Sequence, residues 1–159
     1  MQPVVEMLRK VHTAFAWLLL FGMVGLAVEL LLLRHIDGWW QIAPLVLIGA
    51  GVLAQLWYLL QRSVYAVRVL QLTMLLQVAS GFVGAWLHFQ GNVVYESESN
   101  PGLSGRELYE AAVQGATPTL APGAMMQLGL FGLLMVFCGA ALDNARASAE
   151  IQSTGNSSV

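Results

Sequence analysis

Four stretches of apolar side chains dominate the chain, at residues 11–33, 40–60, 69–89 and 123–142. Each is about as long as a helix needs to be to cross a hydrocarbon core, roughly 20 residues at about 1.5 Å per residue. Their few polar residues and glycines are not scattered. In the third stretch, VLQLTMLLQVASGFVGAWLHF, a step of about 100° per residue gathers Thr73, Gln77, Gly81, Gly84 and His88 on one stripe, with Ser80 at its edge. The second stretch has a similar stripe in Gln41, Pro44, Ile48, Gly51, Gln55 and Tyr58. The first aligns Ala14, Leu18, Gly22, Gly25 and Glu29, and the fourth Gly123, Gln127, Phe131, Leu134, Cys138 and Ala141. In lipid, polar groups turn toward protein partners, and small residues let helix backbones approach closely. The pattern therefore predicts an all-α integral membrane protein: a four-transmembrane-helix bundle with these stripes facing a shared interior. Gly22, Gly25, Gly51, Gly81 and Gly84 are expected at the helix contacts.

The segments between the spans carry turn chemistry. Residues 34–39 form a short turn and residues 61–68 a short basic connection, with Pro44 in the first turn of the second span. The first span is too long for a signal-peptide core of about 7–15 residues and is expected to remain in place. The longest connection, residues 90–121, includes a short helix expected over about 105–114. Ser104 and Glu107 there have capping-box spacing, and Leu103 and Leu108 are placed as a staple. Pro122 sits at the start of the fourth span. Residues 143–159, polar and rich in Ser and Asn, are expected to form a disordered tail.

Composition narrows the class. The chain is 57% hydrophobic and 10% charged, against about 45–50% and about 25% for soluble domains. A net charge of −2 lacks the basic footprint of a nucleic-acid binder. Arg9, Lys10, Arg62, Arg68 and Arg146 fall on the side of the termini, against Arg34 and Arg106 on the other. That asymmetry predicts cytoplasmic N and C termini in a plasma or bacterial inner membrane, with residues 90–121 on the outer, periplasmic side. Tryptophans and tyrosines cluster near span ends (Trp39, Trp40, Trp57, Tyr58, Tyr65, Trp86, Tyr95), as an aromatic belt would place them.

Chemistry-bearing residues are few. Glu29, His88 and Gln127 are expected to meet at one depth near the outer side. An ionisable group within a span persists only when paired or wetted, and a Glu29–His88 pair joining two helices is the expected arrangement. His35, His88, Glu96 and Glu98 form a looser outer-side set for metal or haem, with no fixed ligand spacing among them. The single cysteine, Cys138, excludes both an internal disulfide and a cysteine-based metal site. No nucleophile motif is present, so no enzymatic activity is expected. Three functional classes follow. The first is a structural or accessory protein that associates with other membrane subunits or with itself. The second is a binding or redox module for a quinone, haem or metal near Glu29 and His88. The third is a proton-coupled carrier of small solutes.

Overall fold

The computed structural model describes the backbone of residues 2–156 and the side chains of residues 3–151. It is all-helical, 85% helix, with no strand among the described residues. Five helices follow in order: α1 (Gln2–Leu32), α2 (Trp39–Leu60), α3 (Val64–Ser99), α4 (Gly105–Val113) and α5 (Gly123–Asn156). All but α4 are long and apolar enough to cross a membrane. Among the long helices, α1 packs against α2 and α5, and α3 packs against the same two, so the four make a ring of antiparallel neighbours. Much of the outer circumference is apolar and exposed, including Trp17, Phe21, Leu53 and Phe137.

Three long helices overrun their apolar stretches. No breaker follows the third stretch until Asn100-Pro101-Gly102, so α3 continues one face of the bundle beyond residue 89. The first helix likewise begins before residue 11, where Arg9 bonds Glu6 one turn away at 2.7–2.8 Å. The tail expected to be disordered is instead helix through Asn156, and residues 157–159 lie outside the described residues. Asp143 explains part of this: it holds Arg62 at 3.0 Å and approaches Arg146 at 4.0 Å, tying the extension to the start of α3 and to itself. The connection between α2 and α3 is correspondingly short. Ser63 caps α3 by accepting a hydrogen bond from the Ala66 amide at 3.2 Å.

The inward stripes are correct for two helices and rotated for two. On α2, Ile48, Gly51, Gln55 and Tyr58 are buried, and on α3 Thr73, Gln77 and Gly81 are. On α1, however, the buried seam is His12, Ala16, Leu19 and Met23, while Leu18, Gly25 and Glu29 are exposed. On α5 it is Met125, Leu128, Met135 and Leu142, while Gln127 and Leu134 are exposed. These two helices bury Met and Leu because the cavities left by glycines on their neighbours are shaped for long flexible side chains. Gly22, Gly51, Gly81 and Gly84 do lie at contacts, whereas Gly25 faces open space with nothing within 4 Å of a built Cβ. Gly129, Gly132 and Gly139 on α5 are packed as closely as the expected set.

The middle of the bundle is closed by thioethers. Met23, Met74 and Met135 are fully buried. Met23 Sδ lies 3.7 Å from Gln77 Nε2 and Met135 Sδ lies 4.0 Å from Gln55 Nε2. Each glutamine donates to a neighbouring helix carbonyl, Gln55 to Ala16 at 2.6 Å and Gln77 to Leu47 at 3.2 Å. These cross-helix bonds satisfy the amide N–H groups, and neither Oε1 has a protein partner.

Two turns shape the end opposite the termini. α1 stops in a Schellman arrangement, with Arg34 in the left-handed region at φ 50. The His35 amide donates to the Leu30 carbonyl and the Arg34 amide to the Leu31 carbonyl, at 2.9 and 3.0 Å. At α4, Ser104 is the N-cap residue, but its side chain makes no capping bond. Gly105 follows it at φ +53, so the first turn leaves the geometry a capping box requires.

Candidate functional site

The end of the bundle at the α1–α2 turn is hollow. An open cavity of about 660 Å³ lies between α1, α2, α3 and the residues leading into α5. Its roof is a strap, residues 114–122, that joins α4 to α5. Asn92, fully buried on the α3 extension, ties this strap down. Its Nδ2 donates to the Ala112 carbonyl at 2.9 Å and the Thr117 carbonyl at 2.7 Å, while its Oδ1 accepts from the Thr117 amide at 3.1 Å. Gly115 leaves room for the Asn92 side chain, since a Cβ there would sit 2.7 Å from Asn92 Cγ. α4 packs beside this clamp, with the Phe89 and Tyr109 rings 5.6 Å apart.

Polar groups gather at the cavity wall. Glu29, His35, Gln41 and His88 all line it, with Ser80 and Thr117 nearby and Trp40, Pro44 and Leu87 among the apolar members. His88 Nδ1 lies 2.9 Å from the Pro118 carbonyl. A carbonyl only accepts, so Nδ1 carries the proton and Nε2 of the neutral ring presents a lone pair. The pKa of His35 is lowered, first by burial and then by the proximity of a second imidazole, His88, against a smaller opposing effect of Asp37. Gln41 Oε1 accepts from the Asp37 amide at 2.9 Å, which leaves its NH₂ group as the donor end. Pro44 has no N–H to give the Trp40 carbonyl one turn earlier.

The expected cluster is therefore partly assembled. Glu29, His35 and His88 share one cavity, but Glu29 and His88 form no salt bridge among the described residues, and His88 Nδ1 bonds the strap instead. Gln127 does not reach this cavity. It lines a smaller groove of about 290 Å³ between α1 and α5, which it shares with Glu29, Leu18, Phe21 and Phe131. The rotation of α5 relative to its expected stripe explains the separation. Glu96 and Glu98 remain on the end of α3, with Glu96 accepting from Asn100 at 3.0 Å. Among the described residues no three His, Cys, Asp or Glu side chains converge as a metal ligand set.

At the other end of the bundle lies a polar cluster absent from the sequence-based expectations. His12 is 4% exposed and Tyr58 2%, and His12 Nε2 lies 3.1 Å from the Tyr58 hydroxyl. Arg62 reaches His12 Nδ1 at 3.3 Å and Asp143 at 3.0 Å, and lies 5.7 Å from the centroid of the Tyr58 ring. A guanidinium cannot accept, so Nδ1 is a lone pair and Nε2–H donates to Tyr58. The cluster locks α1, α2 and the α5 extension together, and Tyr58 is an interior group rather than part of a belt. Its signal was the i, i+4 pair Tyr58 and Arg62 at the end of an otherwise apolar helix.

Fold and site together define an all-helical chain with four helices compatible with a transmembrane bundle and a polar-walled cavity at one end. No family model, curated protein or solved structure matches the chain.

Proposed function

We propose that the chain is an integral membrane protein of the plasma or bacterial inner membrane that holds a small amphiphile of the quinone class in the end cavity. The observation that carries this reading is the cavity itself, about 660 Å³ with Glu29, His35, Gln41 and His88 in an otherwise largely apolar wall. That size and mixture suit a ring-bearing ligand held by a few placed polar groups. A quinone needs hydrogen-bond partners and apolar walls rather than a converging ligand set. Membrane insertion is supported by the four apolar helices and their exposed apolar circumference. The five-to-two distribution of basic residues supports cytoplasmic termini and, with them, a cavity at the level of the outer leaflet.

The test is direct. Protein in lipid nanodiscs, titrated with a decyl-tailed benzoquinone, should show saturable quenching of tryptophan fluorescence, because Trp40 borders the cavity. Quenching should fall in a Trp40→Phe control. Leu87→Trp, which adds bulk to the cavity wall, should weaken binding at least about tenfold while leaving the helical spectrum intact. Quenching that does not saturate, or that is indifferent to Leu87→Trp, overturns the reading.

A second reading, association with another membrane subunit or a second copy, is favoured by one observation. Glu29 and Gln127 border an exposed apolar groove with Phe21, which is 79% exposed. A carboxylate facing lipid is costly, and a partner helix bearing a hydrogen-bond donor removes that cost. Gln127→Leu should then shift gently extracted protein toward monomer by about fivefold, measured by native mass spectrometry, without altering quinone binding. A clean wild-type monomer sinks this reading.

A further inference from the structure

The geometry points to a cavity that discriminates between oxidation states of its ligand, holding the hydroquinone in preference to the quinone. This rests on the quinone-class reading above and deepens it. The argument is one of hydrogen-bond polarity. Two wall groups offer acceptors. With Nδ1 donating to the Pro118 carbonyl at 2.9 Å, the lone pair of the neutral His88 ring lies on Nε2, and the Glu29 carboxylate oxygens have no hydrogen bond or ion pair among the described residues. Gln41 offers the opposite polarity through its NH₂ group, while its Oε1 accepts from the Asp37 amide. Ser80 and Thr117 hydroxyls on the wall turn either way.

A ring hydroxyl both donates and accepts, so a hydroquinone can serve Glu29 or His88 and Gln41 together. A quinone carbonyl only accepts. It can take the Gln41 donor, but it meets the lone pairs of His88 and Glu29 with lone pairs of its own. Leaving such a group without its hydrogen costs enough to separate two ligands of nearly equal size and shape. The strap makes the arrangement fixed rather than adaptable. Asn92 holds residues 112–119 by four hydrogen-bonded atoms, and the Pro118 carbonyl in that strap sets which His88 nitrogen carries the proton.

The experiment compares decyl-benzoquinone with its dithionite-reduced hydroquinone on the full chain in nanodiscs at pH 7.5, with empty nanodiscs as the partition control. The hydroquinone should bind at least about tenfold tighter than the quinone. Glu29→Gln introduces a donor at an exposed, unpaired position, so it should narrow that ratio, raising quinone affinity and lowering hydroquinone affinity. Equal affinities, or a quinone preference, in the wild-type protein overturn the discrimination while leaving the cavity reading in place. An unchanged ratio in Glu29→Gln overturns the role of Glu29 and with it the polarity argument. Failure of both forms to bind above the empty nanodisc overturns the cavity reading and the discrimination together.

Discussion

Asn92→Ala is expected to destabilise the protein by about 3–5 kcal/mol and to free the strap over the cavity. The side chain is 2% exposed and satisfies the Ala112 carbonyl and both the amide and the carbonyl of Thr117. Removing it takes away the partner of the Thr117 amide and carbonyl, while the Ala112 carbonyl keeps the Gln114 and Gly115 amides, in a site where Gly115 has already been brought against the side chain. Each stranded buried group costs about 1–3 kcal/mol, so two give about 2–6 kcal/mol, and the expected loss lies in the middle of that span. Equilibrium unfolding in mixed micelles measures the loss, and limited proteolysis should show new cleavage within residues 113–121. A loss under about 1 kcal/mol, with the strap still resistant, would mean that the Phe89–Tyr109 contact and the His88–Pro118 bond suffice to hold the roof.

Gly129→Ala is expected to cost about 3 kcal/mol, while Gly49→Ala is expected to stabilise by about 1 kcal/mol. Both glycines are helical, so the difference lies in their surroundings. A Cβ on Gly129 would stand 2.5 Å from the Met74 carbonyl oxygen and 3.0 Å from the Val78 amide nitrogen. Those are backbone atoms of α3, which cannot rotate aside, so the two helices must separate. A Cβ on Gly49 meets nothing within 4 Å, and alanine there gains helix propensity without any clash. Unfolding midpoints of the two variants should therefore move in opposite directions. A Gly129→Ala variant as stable as the parent would show that α3 and α5 are not in close register.

These glycines also show how far the sequence could be read. The number and order of spanning-length helices, the short α4 and the interior faces of α2 and α3 follow from apolar periodicity and the placement of Gln, Thr and Gly. On α1 and α5 the same rule points to the wrong face. Gly25 and Gln127 look like interior residues, but Met23 and Leu128, one or two positions away, pack into the space that Gly51 and Gly22 leave open. Which helix supplies the gap and which the filling depends on neighbours distant in sequence. The ends of α3 and α5 were hidden for a different reason: apolarity marks where a chain suits lipid, not where its helix stops. At the cavity, Glu29, His35 and His88 were identifiable as ionisable groups near one depth. Their failure to pair was not, nor was the bond of His88 Nδ1 to the Pro118 carbonyl thirty residues later. The His12, Tyr58, Arg62 and Asp143 cluster was missed because its members look like a terminus, a belt, a loop and a tail when read singly.

The packed thioethers of Met23, Met74 and Met135 make the hollow end of this molecule a cul-de-sac. Whatever settles beside Glu29 and His88 finds no passage through the bundle in this conformation, and it leaves on the side from which it came. Its residence is then governed by supply on a single face, and in this conformation the occupant is stored rather than passed along. A guest lodged there could be handed to a neighbour only across that threshold, sideways or upward, never through the floor.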